Sequence, residues 1–217
     1  MKLIDVYRLA IEKGIANDPR GKEGVDEFLN DEKESFDKLT DDKKQYYDME
    51  RLWNPYADSR LSFGDEDIEV KKLMWGIDIG TGEVLLADRL REKGQEISGI
   101  VGHHPLGSAR TPFPEVMWVQ TAMYSDSGVP VNVAEDLMAP RVAEVTRNIL
   151  PANYNQAVDA AKLLNIPIMN IHSPADNCVQ KFMENGFEKE NPKYLKDIIE
   201  IQLSAEESRR QSEEPCR

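Results

Sequence analysis

The sequence predicts an α/β fold: a mixed sheet with βαβ units flanked by helices, preceded by an N-terminal helical segment. Three observations predict it. Two apolar runs, Leu73 to Ile79 and Ile97 to Val101, are separated by a helix-length segment, the size of one βαβ unit. A third apolar run, Ile166 to Ile171, has the unbroken hydrophobicity of a strand covered on both faces. The first 53 residues, by contrast, are charged and carry apolar residues at helical spacing.

Each element follows in order. Leu3, Val6, Tyr7, Ala10 and Ile11 recur at three- and four-residue steps and predict a helix over 1–17, ended by Asp18-Pro19-Arg20-Gly21. Residues 22–52 read as two solvated helices, the second capped by Thr40. Asn54-Pro55-Tyr56 and Gly64-Asp65-Glu66-Asp67 read as turns. After the strand ending at Ile79, Val84 to Lys93 is a helix with Gly94 at its C′ position. The strands on either side should then be parallel with a right-handed crossover. Pro114 to Asp126 predicts a helix and Val129 to Val133 a short strand. Two helices follow, at 134–148 and 153–164, divided by Pro151. A helix begins near Pro174 or Ala175, and a last one covers Tyr194 to Leu203. The expected organisation is a charged helical segment (1–53), an α/β domain (54–203), and a polar tail (204–217).

The bulk numbers exclude several functions. With 217 residues, 40% of them hydrophobic, the chain can build a sizeable core. A net charge of −13 opposes binding to nucleic acid, whose phosphates require Lys and Arg. The acidity is greatest in residues 1–70, with 11 Lys/Arg against 19 Asp/Glu. Two cysteines, Cys178 and Cys216, make no disulfide framework. No basic-then-apolar leader opens the chain, and no apolar run reaches membrane-span length. The expectation is a cytoplasmic protein without a membrane partner.

The chemistry-bearing residues are the three histidines. His103 and His104 follow the strand that ends at Gly102, and His172 follows the strand that ends at Ile171, four residues before Asp176. In an open α/β sheet, strand C-terminal ends face the ligand crevice. Adjacent side chains on a strand point to opposite faces, so His103 and His104 can share a site only where the strand gives way to a turn. Gly102 and Pro105 supply that break. Either cluster alone is equally an ordinary loop or helix cap, with Asp176 or Ser173 offsetting a helix dipole. Together, neutral imidazoles and a carboxylate are the ligand set of a divalent-metal site, with His103, His104, His172 and Asp176 as its members.

Other motifs carry less. Gly76-Ile77-Asp78-Ile79-Gly80-Thr81-Gly82 is similar to the first phosphate loop of actin-like ATPases, but no second phosphate loop follows, and a tight strand–helix turn accounts for the glycines. Asp78 then reads as a structural carboxylate supporting a ligand near the strand end. Cys178 reads as a packed thiol, and Met117, Trp118 and Met123 as helix packing. Nothing names a catalytic acid, base or nucleophile, or an organic cofactor site.

Gly76-Ile77-Asp78, Ile100-Val101-Gly102-His103-His104-Pro105-Leu106 and His172-Ser173-Pro174-Ala175-Asp176 resemble the Nif-three-like family of dinuclear-metal proteins, also labelled GTP cyclohydrolase type-two homologs. The resemblance runs from about Asn54 to Asn177. It implies that His103, His104 and Asp176 are ligands to divalent ions (Zn, Mn, Fe or Mg), with His172 beside them, and that the chain forms a homo-oligomer, a toroidal hexamer. The family also carries a C-terminal His-x-x-x-Glu pair. No histidine follows His172, so the expectation is a site lacking that segment, holding one ion weakly.

Two functions compete at this stage. One is a metal-dependent hydrolase acting on a small nucleotide, phosphoester or ring-amide substrate. The other is a non-catalytic metal-binding or scaffold protein acting through oligomeric interactions.

Overall fold

The computed structural model describes residues 1–149 and 151–212, with side chains as far as Ser204. The described residues form two compact units, Met1–Asn177 and the segment from Cys178 onward. The first opens with helices α1 (Leu3–Ala16), α2 (Gly21–Asp37) and α3 (Asp41–Lys44) and a 3-10 turn, Met49–Leu52. Strand β1 (Arg60–Phe63) and β2 (Lys72–Gly76) follow, then α4 (Thr81–Glu92) and β3 (Ile97–Gly102). After a 3-10 turn at Gly107–Ala109 come α5 (Phe113–Val116), α6 (Val119–Asp126), α7 (Val131–Ile149) and α8 (Gln156–Leu163), then β4 (Ile168–Asn170). Helix α9 (Ser173–Glu190) starts in the first unit, and α10 (Leu195–Ser212) lies in the second.

The fold is α/β, with one four-stranded mixed sheet in the order β1-β4-β3-β2. β2, β3 and β4 are parallel, and β1 is antiparallel to β4. Every residue of β3 is buried because side chains alternate between two covered faces. Ile100 and Ile168 pack with Val84 and Ala87 of α4 and with Val158 and Ala161 of α8. Val101 and Met169 point the other way, onto Leu3, Tyr7 and Ile11 of α1. The apolar stripe read in α1 is therefore the cover of one sheet face.

The register brings three strand ends level. Gly76 pairs with Gly102, and Gly102 with Asn170. The ladder continues past the strands: the amides of His103 and His104 donate to Gly76 and Ile77 carbonyls, and the Ile171 amide donates to Gly102, each at 2.9 Å. Asp78, the two histidines and His172 thus emerge at one end of the sheet.

Several local expectations are corrected. Val129 to Val133 is not a strand. Gly128 turns the chain at φ +89°, and Pro130, which has no N–H to lose, opens the first turn of α7. The helix expected from Pro114 to Asp126 is split into α5 and α6. The second N-terminal helix is a single turn; Thr40 occupies its N-cap position without a side-chain hydrogen bond, and Asp48 instead caps the following 3-10 turn. β1 was not predicted. α10 extends past Leu203 to Ser212, and the last five residues of the expected polar tail, Glu213-Glu214-Pro215-Cys216-Arg217, lie outside the described residues.

Candidate metal centre

β3 ends at Gly102, and the turn that follows lets His103 and His104 face the same cleft. Their ring centroids are 5.2 Å apart. His172 stacks on His103 at 4.7 Å and lies 5.8 Å from His104. The three imidazoles each offer a nitrogen within 4.8 Å of the other two. Asp176, one helical turn beyond His172, brings its carboxylate 3.4 Å from His103 Nε2 and 3.7 Å from His172 Nε2. All four residues singled out in the sequence are brought together.

The outer nitrogens decide what the inner ones can do. His103 Nδ1–H donates to the Ile171 carbonyl at 3.2 Å. His104 Nδ1–H donates to Asp78 Oδ1 at 2.7 Å, and His172 Nδ1–H to Asp58 Oδ2 at 2.8 Å. A carbonyl or carboxylate only accepts, so each neutral ring carries its proton on Nδ1 and keeps the Nε2 lone pair free. Three oriented Nε2 lone pairs with a carboxylate beside them are metal-site chemistry, and acceptors behind the ligands are what holds such rings in place. Donors about 2.1 Å from a tetrahedral ion stand about 3.4 Å apart, so small side-chain movements would fit the set to an ion. The donor set suits a divalent ion.

Asp58 is the residue that sequence reasoning missed. Its side chain is fully buried. It accepts from His172 and, at 2.6 Å, from the Ser173 hydroxyl, while the Ser59 hydroxyl lies 3.2 Å from its other oxygen. Ser59 Oγ also accepts the His172 backbone N–H at 2.9 Å. The β1–β4 register explains the meeting: Arg60 pairs with Asn170, so continuing the antiparallel ladder sets residue 58 opposite residue 172. A lone aspartate after a turn gives no local signal of this.

Electrostatics at His172 oppose one another. Burial pushes its pKa down, but the hydrogen bond and charge of Asp58, with Asp176 adding, outweigh it, and the net direction is up from 6.5. The loop from Gly76 to Gly82 is a strand–helix turn. Glu83 of α4 accepts the Gly80 amide at 2.8 Å, placing a carboxylate where a phosphate would have to sit.

A cleft of about 310 Å³ adjoins the histidines, walled by Asp78, His104, Arg110, Phe113, Arg141, Val145, Ile149 and His172 among others. Phe113 meets the His172 ring edge-on at 5.2 Å.

No family model matches the chain, and no curated protein matches it significantly. A solved structure does: the NIF3 superfamily protein from Sphaerobacter thermophilus is 30% identical over 68% of this chain, with a TM-score of 0.61. The match takes in 54% of that protein, so this chain spans about half its length. Sheet order, histidine-bearing strand ends and this structural match lead to one conclusion: the chain has a NIF3-like fold.

Proposed function

We propose that this cleft binds a divalent metal ion through His103, His104, His172 and Asp176, and that the protein is a metal-dependent hydrolase of a small nucleotide, phosphoester or ring-amide substrate. The observation that carries the reading is that three imidazoles whose ring nitrogens lie within 4.8 Å of one another are each tied by Nδ1 to an acceptor and open at Nε2. A divalent ion supplies Lewis acidity and a bound water of lowered pKa. Asp58 and Asp78 orient the rings and offset the charge brought in. Phe113, Val145 and Ile149 keep one side of the cleft apolar.

The same reading carries a cytoplasmic homo-oligomer. No helix among the described residues is long and apolar enough to cross a membrane. β2 leaves one edge of the sheet open, with Trp75 62% and Ile77 64% exposed, a surface suited to self-association. Sedimentation velocity checks that part.

Calorimetric titration with Zn²⁺ and Mn²⁺ tests the metal site. One ion per chain is expected, with binding abolished by His104→Ala and unchanged by charge reversals within 22–52. Metal-dependent turnover on a panel of nucleotides and phosphoesters tests the activity. Metal binding without turnover on any of them would favour the scaffold role instead.

A further inference from the structure

The charged group that the metal reading leaves unused is Arg110. It follows the 3-10 turn Gly107–Ala109, six residues after His104, and lines the same cleft. Its Nε is buried with no hydrogen-bond partner among the described residues, and it is the one charged side chain in that condition. Among the described residues no salt bridge holds its guanidinium, whereas Arg20, Arg51 and Arg60 are each paired with a carboxylate. A guanidinium stays charged at every physiological pH and presents a fixed fork of donors, so a buried, unanswered N–H on it calls for an acceptor. The one carboxylate lining the cleft, Asp78, is engaged by His104.

The opposite wall supplies a second cation. α7 sets Arg141, Val145, Asn148 and Ile149 along the cleft at helical spacing. Arg141 donates to Glu144 at 2.7 Å through an exposed contact that leaves the rest of its fork free. In a chain of net charge −13, Arg110 and Arg141 set two guanidiniums on the wall of one small cleft.

We propose that Arg110, with Arg141 at the rim, is an oxyanion-binding subsite, and that the molecule taken by the cleft is a small one bearing a phosphate or carboxylate group. Guanidinium forks match both groups with paired N–H···O bonds. Phe113, Val145 and Ile149 then contact the less polar body of the same molecule. The proposal rests on the metal reading only for its consequence, which is that the anion anchors a substrate beside the ion; the subsite itself belongs to the metal-free chain.

The test is titration of the EDTA-treated 217-residue chain with inorganic phosphate and, separately, acetate, read by calorimetry and by phosphorus NMR for the phosphate arm. One or two guanidinium forks give a small anion roughly millimolar affinity. Arg110→Gln should weaken binding about tenfold or more, and Arg110→Lys should restore part of it. Phosphate binding without acetate binding identifies a phosphoryl-bearing ligand, and the reverse a carboxylate. Zn²⁺ titration of R110Q serves as the folding control and should match the wild type. Failure of the wild type to bind either anion, or R110Q binding as tightly as the wild type, overturns the proposal. Loss of Zn²⁺ binding in His104→Ala with anion binding retained separates the two sites, and an absence of Zn²⁺ binding in the wild type would sink the metal reading alone.

Discussion

His172 Nδ1 lies 2.8 Å from Oδ2 of Asp58, a carboxylate with no solvent exposure. The contact fixes the ring's tautomer, leaves Nε2 facing the Asp176 carboxylate at 3.7 Å, and raises the imidazole's proton affinity.

Asp58→Asn keeps the shape and removes the charge. It should lower Zn²⁺ or Mn²⁺ affinity by roughly 10- to 100-fold, the usual cost of losing a group that orients a ligand. The His172 pKa should fall in the same variant, which NMR titration of the imidazole protons reads directly. An unchanged affinity would show that the Asp58 charge is not what readies the ring for a metal ion.

Acidity should act in opposite directions on the free and metal-bound protein. The folded-state pKa of His172 is raised above 6.5, so its contribution to stability is full below about 6.5 and is lost as pH rises through the folded value. Denaturant unfolding of the metal-free chain across that window should show this loss, and His172→Gln should flatten it. Metal affinity should instead weaken as pH falls, because Nε2 must be free of its proton to ligate.

Asp18 should govern acid sensitivity. Burial pushes its pKa up, but hydrogen bonds from Arg20 at 2.9 Å and from the Tyr56 hydroxyl at 2.8 Å hold it below the usual value. Its stabilising share is therefore complete above about pH 3.9 and lost as pH falls through the lower folded value. Asp18→Asn leaves Arg20 unpaired where it is largely buried and should cost on the order of 3 kcal/mol at neutral pH, measured by urea unfolding.

Two glycine substitutions should separate packing from propensity. A Cβ on Gly14 would lie 2.6 Å from the Pro174 backbone, so Gly14→Ala must push α1 off the segment that carries His172 and Asp176. It should lower both melting temperature and metal affinity. Gly82→Ala meets nothing within 4 Å in the first turn of α4 and should be neutral or stabilise by up to about 1 kcal/mol, with metal binding intact.

Local patterns carried much of this architecture and of the site. β2, β3 and β4 are apolar runs, and His103, His104, His172 and Asp176 stand where such runs end, so sequence position alone implied that they would meet. Gly94, with φ +84°, stands at the helix end its pattern indicated. Legibility stopped where pairing is non-local. β1 is four residues of mixed polarity, made a strand by its antiparallel partner. Asp58 acquires its role only through that partner. Val129 to Val133 has strand-like composition, yet one turn at Gly128 and a proline redirect it into a helix.

The acceptors that aim the three imidazoles come from far along the chain: Asp78 is 26 residues from His104, Ile171 is 68 from His103, and Asp58 is 114 from His172. A nascent chain that has just produced His103 and His104 holds two imidazoles with nothing to orient His103. The cleft becomes competent only when β4 has docked between β3 and β1, the step that closes the longest loops in the sheet and carries the largest entropic cost. An ion held there would ligate both ends of that closure, acting as a clasp on the completed fold while finding no organised site on the partly folded chain.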